Sequence, residues 1–251
     1  MNVKILGNAK VLGVVAGIAM LSLSACDKKA ETGAANGSAD VTKPAEGKNW
    51  TETVTVTPAG GYLLGNPDAP VKLVEYASLT CPHCRDFAKE ANEPLRNHVA
   101  SGKVSWEFRS FALNQIDVAA TLLATCQGPE ATFKLIEQTY AEQSKWVLPF
   151  QQMSQADQQR LSTLPPEKMF VELAKIGSLD TFYRVRGLPA AKAEACLADK
   201  AKIDSIVALR EKGVKEDNVE GTPTFLINGV KVDAPPTWPG LEPELQKALG
   251  S

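Results

Sequence analysis

Residues 71–84 read Val-Lys-Leu-Val-Glu-Tyr-Ala-Ser-Leu-Thr-Cys-Pro-His-Cys, and this stretch decides the fold. Its first part, Val71 to Tyr76, is apolar and rich in β-forming residues, which predicts a buried strand. After Cys84, apolar side chains recur every three or four positions up to about Ala100, which predicts a helix. The sequence thus places a Cys-Pro-His-Cys motif on a strand-to-helix turn.

The two cysteines of this motif are predicted to differ in reactivity. Cys81 meets the positive end of the helix dipole, which favours a thiolate, so we expect Cys81 to be the exposed nucleophile. Cys84 lies in the first helical turn and is expected to be shielded. His83 adds a hydrogen-bond donor and, when charged, a cation beside the Cys81 sulfur. These effects lower the pKa of Cys81 below the roughly 8.5 of a free thiol and make the disulfide a stronger oxidant.

Metal binding is the main alternative for a C-x-x-C pair, because the same spacing forms half of a zinc site. A tetrahedral site needs two more ligands. Besides His83, the candidates after residue 50 are His98, Cys126 and Cys196, and none of them forms a second pair of this kind. A thiolate copper module is also considered, but the chain has no Met-rich or His-rich tract. We therefore predict a redox pair and no metal site.

A second motif, Gly221-Thr222-Pro223-Thr224-Phe225-Leu226-Ile227-Asn228-Gly229, lies far downstream. It places Pro223 just before an apolar strand that ends in a hairpin-type Asn-Gly turn. Proline is tolerated only at the beginning or the edge of a strand. A cis Thr222–Pro223 bond explains this placement. An ordinary trans proline is the alternative, because only about one X–Pro bond in twenty is cis in folded proteins.

Together, Cys81-Pro82-His83-Cys84 after a strand and Gly221-Thr222-Pro223-Thr224-Phe225 before one resemble the DsbA-type thiol:disulfide oxidoreductases of the thioredoxin superfamily. The resemblance covers roughly Tyr62 to the C-terminus. It implies an α/β fold class, namely a thioredoxin fold with an inserted all-helical domain, and a redox-active disulfide without any dissociable cofactor. It also implies that Pro223 is cis and lies against this disulfide, with Thr222 presenting backbone groups to the substrate.

Glu75 lies six residues before Cys81, where the resembling family often has a buried acid beneath the active site. An acid inside an apolar strand is costly unless it is partnered or protonated. The alternative is a glutamate on an edge strand that faces water. The sequence does not identify a basic partner for Glu75, and Arg109 is one guess among several.

The N-terminus predicts the compartment. Residues 1–25 have the pattern of a signal peptide, with lysines before an apolar run that is too short for a confident transmembrane helix. The run ends in Leu23-Ser24-Ala25-Cys26, which resembles a bacterial lipobox, so we expect cleavage before Cys26 and lipidation of its thiol. Ordinary cleavage beside an incidental cysteine is the alternative. Asp27 directly follows this cysteine and resembles the signal that retains Gram-negative lipoproteins at the inner membrane, on its periplasmic side.

The rest of the chain divides by composition. Residues 26–49 hold almost no large apolar side chain and are predicted to form a flexible tether. Residues 50–113 and 191–251 are predicted to form the two parts of the thioredoxin domain, and residues 114–190 the helical insertion. The insertion is predicted because no strong strand signal appears between Leu113 and Val219.

Cys126 and Cys196 are the two cysteines left over. Both are on predicted helices, and in an oxidising compartment we expect them to form a structural disulfide. Two buried free thiols are the alternative. Some members of the resembling family carry a second disulfide in the helical domain.

The predicted function is the introduction of disulfide bonds into reduced, unfolded secreted proteins. By resemblance, a DsbB-like quinone-linked membrane protein reoxidises the dithiol. The alternative is an isomerase or reductase of the same superfamily, but those enzymes usually dimerise through an added N-terminal domain that the tether lacks, so we expect a monomer. A net charge of −2 without a basic stripe gives no indication of nucleic-acid binding.

Overall fold

The structure of the protein is a computed structural model that describes residues 49–250, and a mixed sheet of six strands lies at its centre. In chain order the strands are β1 (Val54–Val56), β2 (Tyr62–Gly65), β3 (Val71–Ala77), β4 (Val104–Ser110), β5 (Thr224–Ile227) and β6 (Val230–Lys231). They lie in the order β1-β2-β4-β3-β5-β6, with β3 and β4 parallel and all other neighbours antiparallel. The strand that leads to Cys81, β3, is therefore an interior strand.

Most of the helical structure interrupts this sheet. The helices of the described residues are α1 (Pro82–Ala100), α2 (Gln115–Ala124), α3 (Pro129–Ala141), α4 (Gln143–Gln151), α5 (Gln155–Ser162), α6 (Pro166–Ile176), α7 (Leu179–Arg184), α8 (Ala190–Leu197), α9 (Lys200–Lys215) and α10 (Trp238–Leu249), after a short 3₁₀ helix (Trp50–Glu52). Helices α2 to α9 all lie between β4 and β5. This arrangement matches the α/β fold with a helical insertion that the family resemblance implied.

The turn between β3 and α1 places the two cysteines. Cys81 is the N-cap residue of α1 and has an extended backbone, while Pro82 occupies the first helical turn, where its missing N–H costs nothing. The apolar stripe predicted from the sequence is the buried face of α1: Cys84, Phe87, Ala88, Ala91, Leu95 and Val99. The helix therefore projects Cys81 from its N-terminus and turns Cys84 into the core.

The sheet separates two apolar clusters, because successive side chains of a strand point to opposite faces. On one face Leu73 of β3 belongs to the main core with α1. On the other face Tyr76 joins a smaller cluster with Val74, Phe111, Val219 and Leu226. Gly213 lets α9 approach this second face, since a Cβ there would lie 2.9 Å from Tyr76 Cε1.

Some sequence predictions concern residues outside this description. The predicted signal peptide (1–25), the lipidated Cys26 and the tether up to residue 48 lie outside the described residues. The boundaries predicted at 113/114 and 190/191 stay predictions, because residues 49–250 fall within one compact unit. Among the described helices, none has the length and apolarity needed to cross a membrane.

Candidate active site

The two thiols of the motif are covered to different degrees. Both are free, with Cys81 7% exposed and Cys84 fully buried. The predicted order of exposure is right, but the prediction of an exposed Cys81 is wrong. The backbone of Thr222 lies over it, and the Cys81 thiol donates a hydrogen bond to the Thr222 carbonyl oxygen at 3.4 Å.

Cys81 is the more acidic of the two thiols, as its position at the N-terminus of α1 predicts. A hydrogen bond from the Cys84 thiol lowers the pKa of Cys81 from 9.0 to about 5, although burial opposes this. Smaller contributions in the same direction come from the Thr222 side chain and from the backbone N–H groups of Cys84 and His83. Burial, together with the hydrogen bond to Cys81 and the negative charges of Cys81 and Glu75, raises the pKa of Cys84 well above 9.0. Near neutral pH the reduced site therefore holds one thiolate, at Cys81.

His83 and Pro82 lie on the exposed side of the motif. The contribution of His83 to the acidity of Cys81 comes through its backbone N–H at the start of α1. That effect belongs to the helix N-terminus and does not require an imidazole. The predicted influence of the His83 side chain on the thiol stays a prediction.

The downstream motif around Pro223 lies next to the cysteines in the folded protein. The Thr222–Pro223 peptide bond is cis, and Pro223 is buried. Phe225, at the start of β5, packs against Phe87 of α1 with 4.6 Å between ring centroids. This contact holds the beginning of β5 against the cysteine helix, so Thr222 reaches the Cys81 sulfur across 141 residues of sequence.

Glu75 lies in the interior of the sheet and is 2% exposed, so the alternative of a water-facing edge residue is wrong. The Trp106 indole N–H of the neighbouring strand β4 donates to Glu75 Oε2 at 3.0 Å. Burial raises the pKa of Glu75 from 4.5 to about 7, and the bond from Trp106 only partly offsets this. A carboxyl group with this pKa can accept or donate a proton near neutral pH.

Arg109 is not the partner of Glu75, so that guess from the sequence is wrong. Its guanidinium pairs with Glu107 at 2.9 Å and with Asp217 at 3.2 Å, and it also donates to the Tyr76 hydroxyl. The physical reason is the alternation of β4, because Trp106 and Arg109 are three residues apart and point to opposite faces of the sheet. The acid beneath the cysteines thus has a neutral partner.

Three buried polar residues of the insertion also hold the loop before Cys81, and the sequence analysis did not identify them as site residues. Asp117 of α2 accepts from the Leu79 N–H at 2.9 Å, and Tyr140 of α3 donates to the Ser78 carbonyl oxygen at 3.1 Å. Gln143 of α4 donates to the carbonyl oxygens of Leu79 and Cys81 at 2.7 and 2.9 Å. A polar residue on an otherwise apolar helix face was the only signal in the sequence that could have indicated these three residues. At Asp117 this signal is ambiguous, because an aspartate is also common in the first turn of a helix.

The other two cysteines of residues 49–250 are joined in the structure. Cys126 and Cys196 form a disulfide with an S–S distance of 2.01 Å across 70 residues of sequence. It links the turn after α2 to α8, so only Cys196 lies on a helix as predicted. Within residues 49–250, no cluster of three or more His, Cys, Asp or Glu side chains could hold a metal ion.

Comparisons with known proteins agree with this fold. The sequence profile of the thioredoxin family matches residues 57–247. A crystal structure named protein-disulfide isomerase, from Novosphingobium aromaticivorans, is 30% identical, with a TM-score of 0.72 over 75% of this chain and 97% of that one. The structure of alpha-DsbA1 from Wolbachia pipientis has a similar fold, with 23% identity and a TM-score of 0.62 over 77% of this chain and 92% of that one.

A curated relative from Rickettsia bellii, provisionally named a protein-disulfide oxidoreductase, is 25% identical over 173 residues. The match covers 68% of this chain and 58% of the relative, so the chain spans less than two thirds of that protein's length. A second relative with the same provisional name, from Rickettsia prowazekii, is 26% identical over 68% of this chain and 55% of its own length.

Proposed function

Because this chain belongs to the thioredoxin family, we propose that it is a thiol:disulfide oxidoreductase that introduces disulfide bonds into secreted or periplasmic proteins through Cys81 and Cys84. One arrangement carries the proposal. Cys81 caps the N-terminus of α1 beside the Thr222 carbonyl oxygen, and Cys84 is fully buried behind it. This arrangement lowers the pKa of Cys81 to about 5 and raises that of Cys84. A stabilised thiolate makes the reduced site more stable, and its disulfide is then an oxidant.

The first step forms a mixed disulfide. A thiolate of the reduced substrate attacks Cys81 Sγ of the Cys81–Cys84 disulfide, because Cys84 is fully buried and Cys81 is not. The new bond joins the substrate sulfur to Cys81, and the old S–S bond breaks with its electron pair on Cys84. Glu75, which has a pKa of about 7 and interacts electrostatically with Cys84, supplies the proton that Cys84 then takes up.

The second step releases the product. A second substrate thiolate attacks the substrate sulfur of the mixed disulfide, and Cys81 leaves with the electron pair of the broken bond. The substrate loses two electrons and gains a disulfide, and the enzyme gains the same two electrons as a dithiol. Cys81 is a good leaving group because hydrogen bonds stabilise its thiolate. A DsbB-like, quinone-linked membrane protein would reoxidise the dithiol.

Isomerisation is the second candidate function, and the 30% identity to a structure named protein-disulfide isomerase favours it. The reduction potential of the Cys81–Cys84 pair, measured against glutathione, separates the two functions. We expect an oxidising potential, and faster disulfide formation in reduced, unfolded ribonuclease A than reshuffling of its scrambled form. A strongly reducing potential with reshuffling as the main activity would assign the protein to the isomerases.

Trapping tests which cysteine attacks. In Cys84→Ala protein, mixed disulfides with a reduced substrate should accumulate at Cys81, since no thiol is left to resolve them. Cys81→Ala protein, in which only the fully buried Cys84 remains at the site, serves as the matched control. Trapping through Cys84 in that control would reverse the assignment.

We further propose that the mature protein is a monomer held at the periplasmic side of the inner membrane by lipid on Cys26. The tether that the composition predicts, about 23 residues long, would have a root-mean-square reach of roughly 25–30 Å, enough for the site to meet secreted chains and a membrane-embedded reoxidant. Cys26→Ala should move the protein to the soluble periplasmic fraction with its oxidase activity intact. An unmodified Cys26 at the mature N-terminus of a soluble wild-type protein would exclude the anchor.

A further inference from the structure

The carbonyl oxygen that covers Cys81 belongs to a segment without regular secondary structure. Residues 216–223 connect the end of α9 to the start of β5 and form neither a helix nor a strand. The position of such a segment depends on individual contacts, because no ladder of backbone hydrogen bonds fixes it. Yet the Thr222 carbonyl oxygen lies only 3.4 Å from the Cys81 sulfur. The contacts that hold the segment therefore decide how Cys81 is covered.

Asp217, near the beginning of this segment, is held against the sheet by two donors. The Tyr76 hydroxyl donates to Asp217 Oδ2 at 2.6 Å, and the Arg109 guanidinium donates to the same oxygen at 3.2 Å. Tyr76 of β3 and Arg109 of β4 are directly paired across the strands, and Arg109 also donates to the Tyr76 hydroxyl at 3.1 Å. We call these three residues the Asp217 anchor.

The anchor is largely shielded from water, which strengthens its contacts. Tyr76 is fully buried, and the side chains of Arg109 and Asp217 are 14% and 18% exposed. Hydrogen bonds that involve a charged group are stronger than neutral ones, and a shielded charge is costly without a partner. Glu107 accepts two further hydrogen bonds from Arg109, each of 2.9 Å, and so fixes the guanidinium from its other side.

The anchor and the cover over Cys81 are the two ends of one arrangement. Tyr76 contacts Asp217 across 141 residues of sequence, and Cys81 contacts Thr222 across the same 141 residues. Segments 76–81 and 217–222 are therefore equally long and are joined at both ends. The segment that covers Cys81 is thus attached to the strand that leads to Cys81.

The residues between the anchor and Thr222 are also constrained. The Val219 N–H donates to the Gly213 carbonyl oxygen at 2.9 Å, and the Val219 side chain is buried in the second apolar cluster. Lys231 of β6 donates to the Asn218 carbonyl oxygen at 2.8 Å. A displacement at the anchor is therefore transmitted toward Thr222, because few residues between them can change conformation freely.

We propose that Tyr76, Arg109 and Asp217 are positioning residues of the redox site, which hold the Thr222 carbonyl oxygen over Cys81 from the other face of the sheet. This inference rests on the proposed role of Cys81 as the attacking thiol. It gives the anchor a part in the access to Cys81 and none in the transfer of electrons or protons.

Tyr76→Phe tests the anchor, because it removes the hydroxyl and keeps the buried ring. The measurement is the rate constant for alkylation of Cys81 by iodoacetamide in the reduced protein, followed by peptide mass mapping. Division by the thiolate fraction, read from ultraviolet absorbance, removes any change in acidity. We expect the rate constant per thiolate to rise about threefold to tenfold, because the Thr222 segment leaves Cys81 more often. An unchanged or lower value in the folded variant would overturn the inference.

Tyr183 of α7 offers a matched control. It too is fully buried, and its hydroxyl oxygen lies 2.6 Å from that of Thr139 in the insertion. Tyr183→Phe therefore removes a hydrogen bond of the same length from a tyrosine of the same burial. It should lower the free energy of unfolding and leave the alkylation of Cys81 at the wild-type rate. Equal acceleration in both variants would mean that lost stability, and not the anchor, exposes Cys81, and would refute the proposal.

Asp217→Ala tests the anchor from the covering segment and decides the question even if Tyr76→Phe does not fold. It removes the acceptor of both donors from a side chain that is partly exposed. Cys81 should be alkylated faster by at least the factor found for Tyr76→Phe. Asp233→Ala, which removes an acid from an exposed position after β6, should react as wild type. Wild-type rates in Asp217→Ala would contradict the anchor.

The double variant Tyr76→Phe/Asp217→Ala tests whether the two residues act through their mutual contact. Alkylation should be about as fast as in Asp217→Ala alone, because the second change removes nothing more from the covering segment. Two effects that multiply would show that the residues act independently, and would overturn the anchor as a unit.

Failure of this inference can be told from failure of the proposed function. Alkylation uses no protein substrate, so it decides the role of the anchor even if the oxidase assay finds no activity. Conversely, oxidase activity with unchanged alkylation in both anchor variants would leave the function standing and remove the anchor from the site.

Discussion

Single residues make the two thiols of this site unequal. Cys81 ends an extended segment at the N-terminus of α1, and Cys84 lies one turn inside the helix, facing the core. Position relative to the helix decides which sulfur ionises, because the Cys84 thiol, followed by backbone N–H groups of the first turn, donates to Cys81 while burial dominates at Cys84. Glu75 lies below them and its negative charge adds to the raised pKa of Cys84, and the effect predicted for the His83 side chain can be measured by substitution.

His83→Ala should raise the pKa of Cys81, by less than about one unit. The backbone N–H of residue 83, which supports the thiolate, is retained, and only the influence of the exposed imidazole is lost. Thiolate absorbance against pH measures the shift. The chain contains just one other histidine, His98 at the opposite end of α1, so His98→Ala is the control. Identical titrations in both variants and wild type would exclude a role for the His83 side chain.

Glu75→Gln should slow thiol exchange at Cys84 and flatten the pH dependence of stability. The pKa of Glu75 is raised from 4.5 to about 7, so the folded state binds its proton more tightly than the unfolded state. Stability from this group is therefore present below pH 4.5 and is lost as pH rises toward 7. The amide side chain of the variant cannot ionise, while its carbonyl oxygen can still accept from Trp106.

Denaturation of the oxidised proteins measures this effect. Between pH 5 and 8 the free energy of unfolding of the wild type should fall by about 2 kcal/mol more than that of Glu75→Gln. Glu90→Gln, an exposed change on α1, should behave as wild type. Parallel curves for wild type and Glu75→Gln would show that Glu75 ionises normally in the folded protein.

Secondary structure elements bring the parts of the site together. Strand β3 supplies the acid, α1 the thiols, and the segment before β5 the carbonyl group over Cys81. The helical insertion contributes too, because α2, α3 and α4 each place one buried polar side chain on the loop between β3 and α1. The insertion therefore forms part of the wall of the site.

Gln143→Leu tests this contribution of the insertion. The substitution removes both donors to the Leu79 and Cys81 carbonyl oxygens and leaves the Leu79 oxygen buried without that bond. We expect a loss of about 1–3 kcal/mol in the free energy of unfolding and a rise in the pKa of Cys81, because the loop is less well fixed. Chemical denaturation and thiol titration measure the two effects.

The control for Gln143 is Gln158→Leu. Gln158 also donates from a helix to a backbone carbonyl oxygen, that of Met153 at 3.3 Å, but it is exposed. This variant should change stability by less than about 0.5 kcal/mol and leave the thiol titration unmoved. If Gln143→Leu loses stability without changing the Cys81 titration, the amide supports the fold alone.

The Cys126–Cys196 disulfide connects two elements of the region between β4 and β5 without touching the proposed chemistry. A closed loop of 70 residues corresponds to roughly 4 kcal/mol of stabilisation in chain-entropy terms. Cys126→Ala/Cys196→Ala should therefore unfold at a lower temperature and keep its oxidase turnover. Non-reducing peptide mapping of the wild type should find the cross-link, and free thiols at both positions after purification in air would refute the pairing.

For the whole molecule, the redox state of the site is coupled to the stability of the fold. In the dithiol form the folded state ionises Cys81 at a pKa of about 5, against an ordinary value of 9.0. The unfolded chain binds that proton more tightly, so stability from Cys81 is gained as pH rises from about 5 and is complete near 9. In the disulfide form neither sulfur titrates, and this contribution is absent.

As pH rises, the free energy of unfolding of the reduced protein should therefore increase relative to that of the oxidised protein. We expect the difference in their free energies of unfolding to change by about 2–3 kcal/mol between pH 5 and 8, after allowance for solvent screening. Burial raises the pKa of Glu75 and of Asp117 in both redox states, so the contribution of their burial cancels in this difference. Parallel stability curves in urea for the two redox states would contradict a Cys81 thiolate in the folded dithiol protein.

The sequence alone determined the parts of this protein that depend on local pattern. A β-prone run followed by cysteines and an apolar stripe of helical spacing placed Cys81 and Cys84 at the start of α1, because periodicity and caps act within a few residues. A proline before an apolar run with an Asn-Gly turn similarly gave the beginning of β5. The absence of strand patterns over a long middle segment predicted its helices.

The tertiary structure alone decided which groups surround the thiols. These surroundings depend on contacts between residues far apart in sequence. They include the cover over Cys81, the indole partner of Glu75, and the contacts of Asp117 and Gln143 with the cysteine loop. Asp117 fits an ordinary helix start, and Arg109 was one guess for the partner of Glu75. Only the sheet order and the packing of the insertion assign the partners of both residues. Long-range packing sets burial, and burial sets the acidity on which the chemistry depends.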